Sequence, residues 1–355
     1  MNNQEPAVAI IVPFGEWNQW VIECVQAIAA LNGMNERWTC WLVPDHEPDE
    51  NWSRQLPTGN PQCRIEILAT GPGNPAQKRN AVLRVSRDPI IALIDSDAWP
   101  EPDWLTTALS HLIPGGSVPE GSVLAYVQQP GSCNYARTDP SAVGVVAGPN
   151  LTPPHDPLIR RVGGRIMESP LGFGEGSIRH VAVAARDVRE MPTCNMVFRR
   201  VNGMAFHESL DTGEDMVFCA DMRAAGYRVR YQPDVRVYHH RRAVFIPFMR
   251  QCYRYGRDKG RLRRRHSDGA YAWQAIPALF VIYLLLAPLI SLFFGGGLLK
   301  WLPWLPLTAY ALAMLAESLR LARSCGEFLL APAAFLAAHL AYGAGYLSGW
   351  VRSGK

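Results

Sequence analysis

Residues 90–97, Ile90-Ile91-Ala92-Leu93-Ile94-Asp95-Ser96-Asp97, decide how this sequence reads. The uninterrupted apolar run describes a buried central strand of a mainly parallel sheet. It runs directly into an acidic pair at its C-terminal end, where open α/β sheets place their ligands. Carboxylates one residue apart can put one group on a metal and the other on a ribose or water, which suits a Mg2+ or Mn2+ diphosphate complex. A solvated acidic turn carries the same pattern. The stretch that follows, Trp99-Pro100-Glu101-Pro102-Asp103-Trp104-Leu105, is hard to explain as a simple surface loop.

Working outward, the first ~110 residues alternate strand and helix patterns, the signature of βαβ units. Val8–Val12 is a second continuous apolar run, ended by Pro13. Trp20–Leu31 sets Val21, Val25, Ile28 and Leu31 at helical spacing. Trp38–Val43 and Arg64–Leu68 read as strands, and Pro75–Val85 as a helix with proline near its first turn. Residues 114–157 are rich in Gly, Pro, Ser and Asn and read as loops around one or two short strands, including Val123–Gln128. Asp215–Ala225 reads as a helix capped by Gly226, and Tyr227–Tyr238 contains a strand.

The chain has 355 residues, 48% of them apolar, which excludes a disordered or fibrous class. Its net charge of +4 is concentrated: Arg241–Arg265 holds ten Arg or Lys against Asp258 alone. Eight cysteines show no CxxC or CxH spacing, so they read as reduced cytosolic thiols, without a zinc site. Met1–Pro6 lacks the pattern of a secretory signal. Trp273–Phe294 is uncharged over about 22 residues, enough to cross ~30 Å of hydrocarbon. Leu305–Leu319 and Phe328–Val351 are also apolar, interrupted by Glu317 and His339. The sequence thus divides into a domain over 1–265 and a membrane domain over 266–355 with two or three hydrophobic helices. The basic cluster puts the first on the cytoplasmic side of a cell (inner) membrane crossed more than once. Arg352 and Lys355 would lie outside if the third segment crossed, which leaves three alternatives for that segment: crossing, re-entry or lying in the interface.

Three further groups carry possible chemistry. Gly213-Glu214-Asp215 stands at a predicted helix start, where carboxylates cap free N–H groups. Tyr238-His239-His240 closes a strand, where a neutral imidazole can complete a metal site, although such pairs are often structural. Arg250-Gln251-Cys252-Tyr253-Arg254-Tyr255-Gly256-Arg257 can hold phosphates or attract anionic lipids.

The order of these motifs resembles family 2 glycosyltransferases of the GT-A fold over most of Ala7–Arg265. Val12-Pro13-Phe14-Gly15-Glu16 through Glu23-Cys24 resembles the family's first strand and helix, with Gly15 and Glu16 replacing the usual Tyr and Asn. Asp45 matches the acidic position that reads the nucleotide base. Lys78-Arg79-Asn80 is similar to the family's ARN helix, which implies that Arg79 faces base or diphosphate. The resemblance further implies donor contacts from Pro13, Glu16, Asp95 and Ser96, a metal on Asp97 and His239, and a general base at Asp215 with Glu214 beside it. It implies an acceptor side at Cys194 and Asn195. Gln251-Cys252-Tyr253-Arg254-Tyr255 is similar to the QxxRW signature, Gln251 and Arg254 facing the donor and Tyr255 the acceptor.

The implied activity is inverting transfer from a nucleotide-diphosphate sugar to a lipid-linked or glycan acceptor hydroxyl at the membrane, in cell-surface polysaccharide or glycolipid synthesis. Membrane lipids are the further partner; nucleic acid is not. The alternatives are a polyprenyl-phosphate sugar synthase and, from another class, a membrane-anchored binding or scaffold protein with a degenerate site.

Overall fold

The computed structural model describes residues 8–32, 37–112, 142–210, 213–265, 271–294 and 297–352. The two uninterrupted apolar runs become neighbours: β1 (Val8–Pro13) and β4 (Ile90–Ile94) are buried throughout and pair in parallel. β2 (Trp38–Val43) and β3 (Cys63–Ile67) extend the parallel ladder beyond β1. α1 (Gln19–Ala29) turns Val21, Cys24, Val25 and Ile28 into the core, and its N-cap Asn18 accepts from the N–H groups of Trp20 and Val21. After the short α2 (Glu50–Ser53), α3 (Pro75–Val85) opens with a capping box of Asn74 and Gln77, then α4 (Trp104–Leu112) buries Trp104.

Past β4 the sheet becomes mixed. β9 (Asn195–Arg199) inserts antiparallel between β4 and β6 (Val143–Ala147), so each of its two edges has a partner. β10 (Arg228–Tyr231) runs parallel to β6, and β8 (Arg186–Asp187) closes that edge antiparallel. The order among the described residues is β3-β2-β1-β4-β9-β6-β10-β8. A small second sheet joins β5 (Ala98–Pro100), β11 (Val237–His239) and β7 (Asn150–Leu151), with β11 in the middle. The expected α/β class, mixed but mostly parallel, is what forms. The strand expected at Val123–Gln128 lies outside the described residues.

The chain gathers into two compact units, Met1–Leu151 with Val181–His239, and Thr152–His180 with His240–Lys355. A division at 265 follows the change in hydropathy; compactness divides the chain elsewhere, grouping 152–180 and the basic stretch with the C-terminal helices. The first unit holds both sheets and α7 (Glu214–Ala224). The second holds α5 (Leu158–Glu168), α6 (Pro170–Phe173), the basic α8 (Ile246–Arg265), α9 (Ile276–Phe293), α10 (Leu305–Leu321) and α11 (Cys325–Arg352). Among the described residues there, three stretches are long and apolar enough to cross a membrane: Ala272–Phe293, Leu298–Leu321 and Cys325–Val351. The buried charges of this unit are paired: Glu327 accepts from Arg161 Nε at 2.9 Å and Arg165 Nε at 3.1 Å, and Asp156 meets His240 Nδ1 at 2.6 Å.

Candidate active site

The site grows from two strand ends that sequence separates widely. β4 releases Asp95, Ser96 and Asp97 into a turn, held where Ala98 N–H donates to the Asp95 carbonyl at 3.0 Å. The chain re-enters as β5, which pairs antiparallel with β11 so that His239 stands opposite Ala98. Trp99 and Tyr238 stack at 5.5 Å one register position away and fix that alignment. His239 Nε2 consequently lies 2.9 Å from Asp97 Oδ1.

Asp95, Asp97 and His239 each offer a ligand atom, and the three atoms lie within 4.8 Å of one another. Two carboxylates and one imidazole make a hard oxygen and borderline nitrogen set that fits a divalent ion of the Mn2+ or Mg2+ kind. Burial alone would lower the His239 pKa, but the Asp97 carboxylate outweighs it and the imidazole is pushed up to about 10. His239 Nδ1 is buried beside the Cys194 thiol.

Arg79 is the second centre. α3 carries it into the interior, 2% exposed, where Nη2 donates to Asp95 at 3.1 Å and Nη1 to Glu214 at 2.9 Å. The Phe206 ring lies 5.7 Å from the guanidinium carbon. Burial raises the Asp95 pKa, against the charges of Arg79 and His239. One residue earlier on α3, Lys78 Nζ meets Asp45 Oδ1 at 2.6 Å, and Asp45 N–H donates to the Gly15 carbonyl. Expected positions around the C-terminal ends of β1, β2 and β4 are therefore joined by two consecutive cations.

Gly213 starts α7 with φ +87°, a left-handed conformation that glycine adopts without strain, and this sets Glu214 and Asp215 in the first turn. Their environments differ. Glu214 is committed to Arg79, while Asp215 Oδ1 accepts from Met216 N–H at 2.8 Å.

The remaining expected residues divide. Pro13 ends β1 and is buried, Glu16 is exposed in the following loop, and Ser96 is half-buried between the acidic pair. Asn195, expected on the acceptor side, is fully buried: Oδ1 accepts from Trp104 Nε1 at 2.8 Å, and Nδ2 donates to the carbonyls of Pro149 and Val235. Its amide ties elements together and has no surface to offer a substrate. Cys194 is likewise buried and accepts from Asn150 Nδ2 at 2.9 Å. Gln251, Arg254 and Tyr255 belong to the second unit, on one face of α8, where Gln251 Nε2 donates to Tyr255 Oη at 3.1 Å. Lys78 and Trp104 stand in the motifs above without a role of their own, and Phe206 in none of them; the partners that give them roles are distant in the chain.

A strand-end acidic pair, a converging histidine and two buried cations thus meet at the carboxyl ends of the sheet strands, the arrangement expected of a family 2 glycosyltransferase. Comparison with known proteins agrees. Residues 9–142 match the Glycosyl transferase family 2 profile and residues 174–316 that of Glycosyl transferase family group 2, together more than half of the chain. The chain belongs to the family 2 glycosyltransferases.

Over 241 residues it is 26% identical to the pre-mycofactocin glycosyltransferase of two strains of Mycobacterium tuberculosis, a match that covers 68% of this chain. The chain spans 42% of the length of those relatives. Among solved structures, the mannosyltransferase PcManGT of Pyrobaculum calidifontis, in complex with GDP-Man and Mn2+, is 18% identical. That likeness covers 99% of this chain and 89% of that one at a TM-score of 0.45. S. aureus TarS 1–349 in complex with UDP-GlcNAc is 14% identical, covering 96% and 92% at a TM-score of 0.42.

Proposed function

We propose that this glycosyltransferase moves a sugar, with inversion, from a nucleotide-diphosphate sugar to an acceptor hydroxyl presented at a membrane. The observation that carries the reading is the convergence of Asp95, Asp97 and His239 within 4.8 Å. Asp97 and His239, with Asp95 beside them, would hold a divalent ion, whose charge would offset that growing on the departing diphosphate. Asp45, held by Lys78, faces the base; Arg79, with Asp95 and Ser96, orders the ribose and diphosphate side, with Pro13 and Glu16 at its rim. The resemblance of the Gln251–Tyr255 motif assigns Gln251 and Arg254 to the donor and Tyr255 to the acceptor.

In the chemical step the acceptor oxygen bonds to the anomeric carbon as that carbon's bond to the diphosphate oxygen breaks. The hydroxyl proton passes to the Asp215 carboxylate, and the nucleoside diphosphate leaves with the bonding electrons. A lipid-linked or glycan acceptor fits a chain with long apolar helices and a basic stretch beside them, and the same features favour a catalytic domain, 1–265, on the cytoplasmic face of an inner membrane.

Screening nucleotide sugars with the purified full chain tests donor and class together. Hydrolysis or transfer should require Mn2+ or Mg2+, stop in EDTA, and be lost in Asp97→Ala while the variant stays folded. Full activity in excess EDTA would remove the ion from the reaction. Transfer to a polyprenyl phosphate that survives Asp215→Asn would assign the acceptor as a phosphate, which needs no strong base.

A further inference from the structure

Four glycines decide how the last helix lies. A Cβ on Gly256 would collide with the carbonyl oxygen of Tyr342, and one on Gly260 with that of Tyr346. Reciprocally, Gly345 faces the carbonyl of Tyr253 and Gly349 that of Arg257. Residue numbers rise together on the two sides, so α8 and α11 run parallel in backbone contact, each offering a Gly-x3-Gly pair to the other. Nearer the start of α11, Phe248 and Cys252 share a core cluster with Phe335 and Ala338. Helices in contact over such a length occupy one depth relative to any membrane.

That depth is not the hydrocarbon. α8 carries Arg250, Arg254, Arg257, Asp258, Lys259 and Arg261, a charge on nearly every turn, and a bilayer core would strip those groups of water. The first turn of α11 is no more suited to it, because Glu327 is buried in ion pairs with Arg161 and Arg165.

The hairpin of α9 and α10 is different. Leu285, Leu289, Leu292, Phe293, Leu298 and Leu305 stand exposed towards its closed end. The named contacts with α11 fall at its open end. A Cβ on Gly343 would collide with the Pro277 carbonyl, His339 Nδ1 lies 2.9 Å from Tyr310 Oη, and Met314 clusters with Ala334. Gly343 also indicates which face of α11 looks towards the hairpin. Leu329, Leu336 and Trp350 stand at multiples of seven residues from it, hence on its side of the helix, and all three are exposed apolar groups.

We propose that α8 and α11 form one in-plane element seated on an anionic headgroup layer, with Leu329, Leu336 and Trp350 dipping below it, and that α9 and α10 alone cross the bilayer. The proposal rests on the reading of α9 and α10 as a membrane anchor. Arg352 then shares a side with Arg320, Arg323 and the basic α8, in accord with the retention of Arg and Lys on one face of a membrane.

The test uses the full chain with Cys63, Cys133 and Cys325 replaced by serine, and one added cysteine: Arg261→Cys, Lys300→Cys or Arg352→Cys. The chain is reconstituted in sealed vesicles containing phosphatidylglycerol and treated with an impermeant maleimide. Arg261→Cys and Arg352→Cys should label from the same face and Lys300→Cys from the other. Labelling of Arg352→Cys from the Lys300 face would overturn the in-plane element and leave the anchor standing. Labelling of all three from one face would overturn anchor and inference together. A nitroxide at Leu329→Cys, Leu336→Cys or Trp350→Cys should report one shallow depth that decreases when phosphatidylcholine replaces the anionic lipid. A depth that passes through the bilayer centre at 336, or ignores lipid charge, would overturn the headgroup seat.

Discussion

Arg79 balances the charges of the site, because one buried guanidinium serves Asp95 just past β4 and Glu214 on α7. Breaking a buried pair costs ~3–5 kcal/mol. The Asp95 side chain keeps 35% exposure, so solvent compensates part of that, and Arg79→Met should lose about 2–3 kcal/mol in denaturant unfolding. An unchanged midpoint would show that the two carboxylates do not need it. The neighbouring acids should separate by assay. Asp215→Asn should keep nucleotide-sugar affinity while the single-turnover rate falls ~10²–10⁴-fold, the usual general-base contribution. Glu214→Gln, which releases Arg79, should weaken donor affinity and stability together. A rate within about tenfold of wild type for Asp215→Asn would return that residue to helix capping. A third acid gives a pH signature. Burial alone would raise the Asp156 pKa, but the His240 hydrogen bond and charge, with Arg241 N–H and Arg160, outweigh burial and hold it below the usual carboxylate range. A depressed folded pKa stabilises above the unfolded value, near 3.9, and that stability is lost as pH falls through the folded pKa. The Tm advantage of wild type over Asp156→Asn should therefore be present at about pH 5 and shrink below about pH 4. A difference that ignores pH over that window would exclude the ion pair as its source.

Among the elements, the glycine faces of α8 and α11 allow a signed prediction. Alanine in a helix gains ~1 kcal/mol over glycine, and overpacking costs ~1–3 kcal/mol. At Gly345 the added carbon meets the backbone of Tyr253, which cannot rotate away, so Gly345→Ala should lower the Tm. Gly326→Ala meets only the end of the Leu158 side chain and should be neutral or stabilising. Equal Tm shifts for the two would mean that the helices are not in backbone contact. The same distinction, local against distant, governs what could be read from the sequence. β1 and β4 were legible because double burial writes itself as a continuous apolar run, α1 as a three-to-four spacing, and α3 by the proline near its first turn. Asp95 and Asp97 were legible as the polar end of such a run. β9 was not, since Asn195–Arg199 is a short run whose place between β4 and β6 is set by partners about 50 and 100 residues away. Glu214 as the partner of Arg79, 135 residues apart, left no local mark either, and the buried amide of Asn195 looked like any other motif residue.

For the molecule as a whole, the bare hairpin of α9 and α10 predicts that the chain stays with membranes after a high-salt wash. Attachment through basic residues alone would be released, because charge interactions are screened over ~3 Å at 1 M salt, and recovery in the wash would leave no role for the hairpin. The antiparallel insertion of β9 also bears on how the enzyme is made. During synthesis β4 emerges next to β1, but its other edge must wait about 100 residues for β9. At ~5–20 residues per second that is about 5–20 s. His239 arrives later still, so the cluster of Asp95, Asp97 and His239 is among the last parts of the transferase to close. Over that interval an apolar strand leaves its N–H and C=O groups unpaired along one edge, an open template for other chains. The nascent chain is therefore most vulnerable to aggregation between the emergence of residues 94 and 195, before its membrane helices have been made, and a ribosome-bound chaperone would be of most use there.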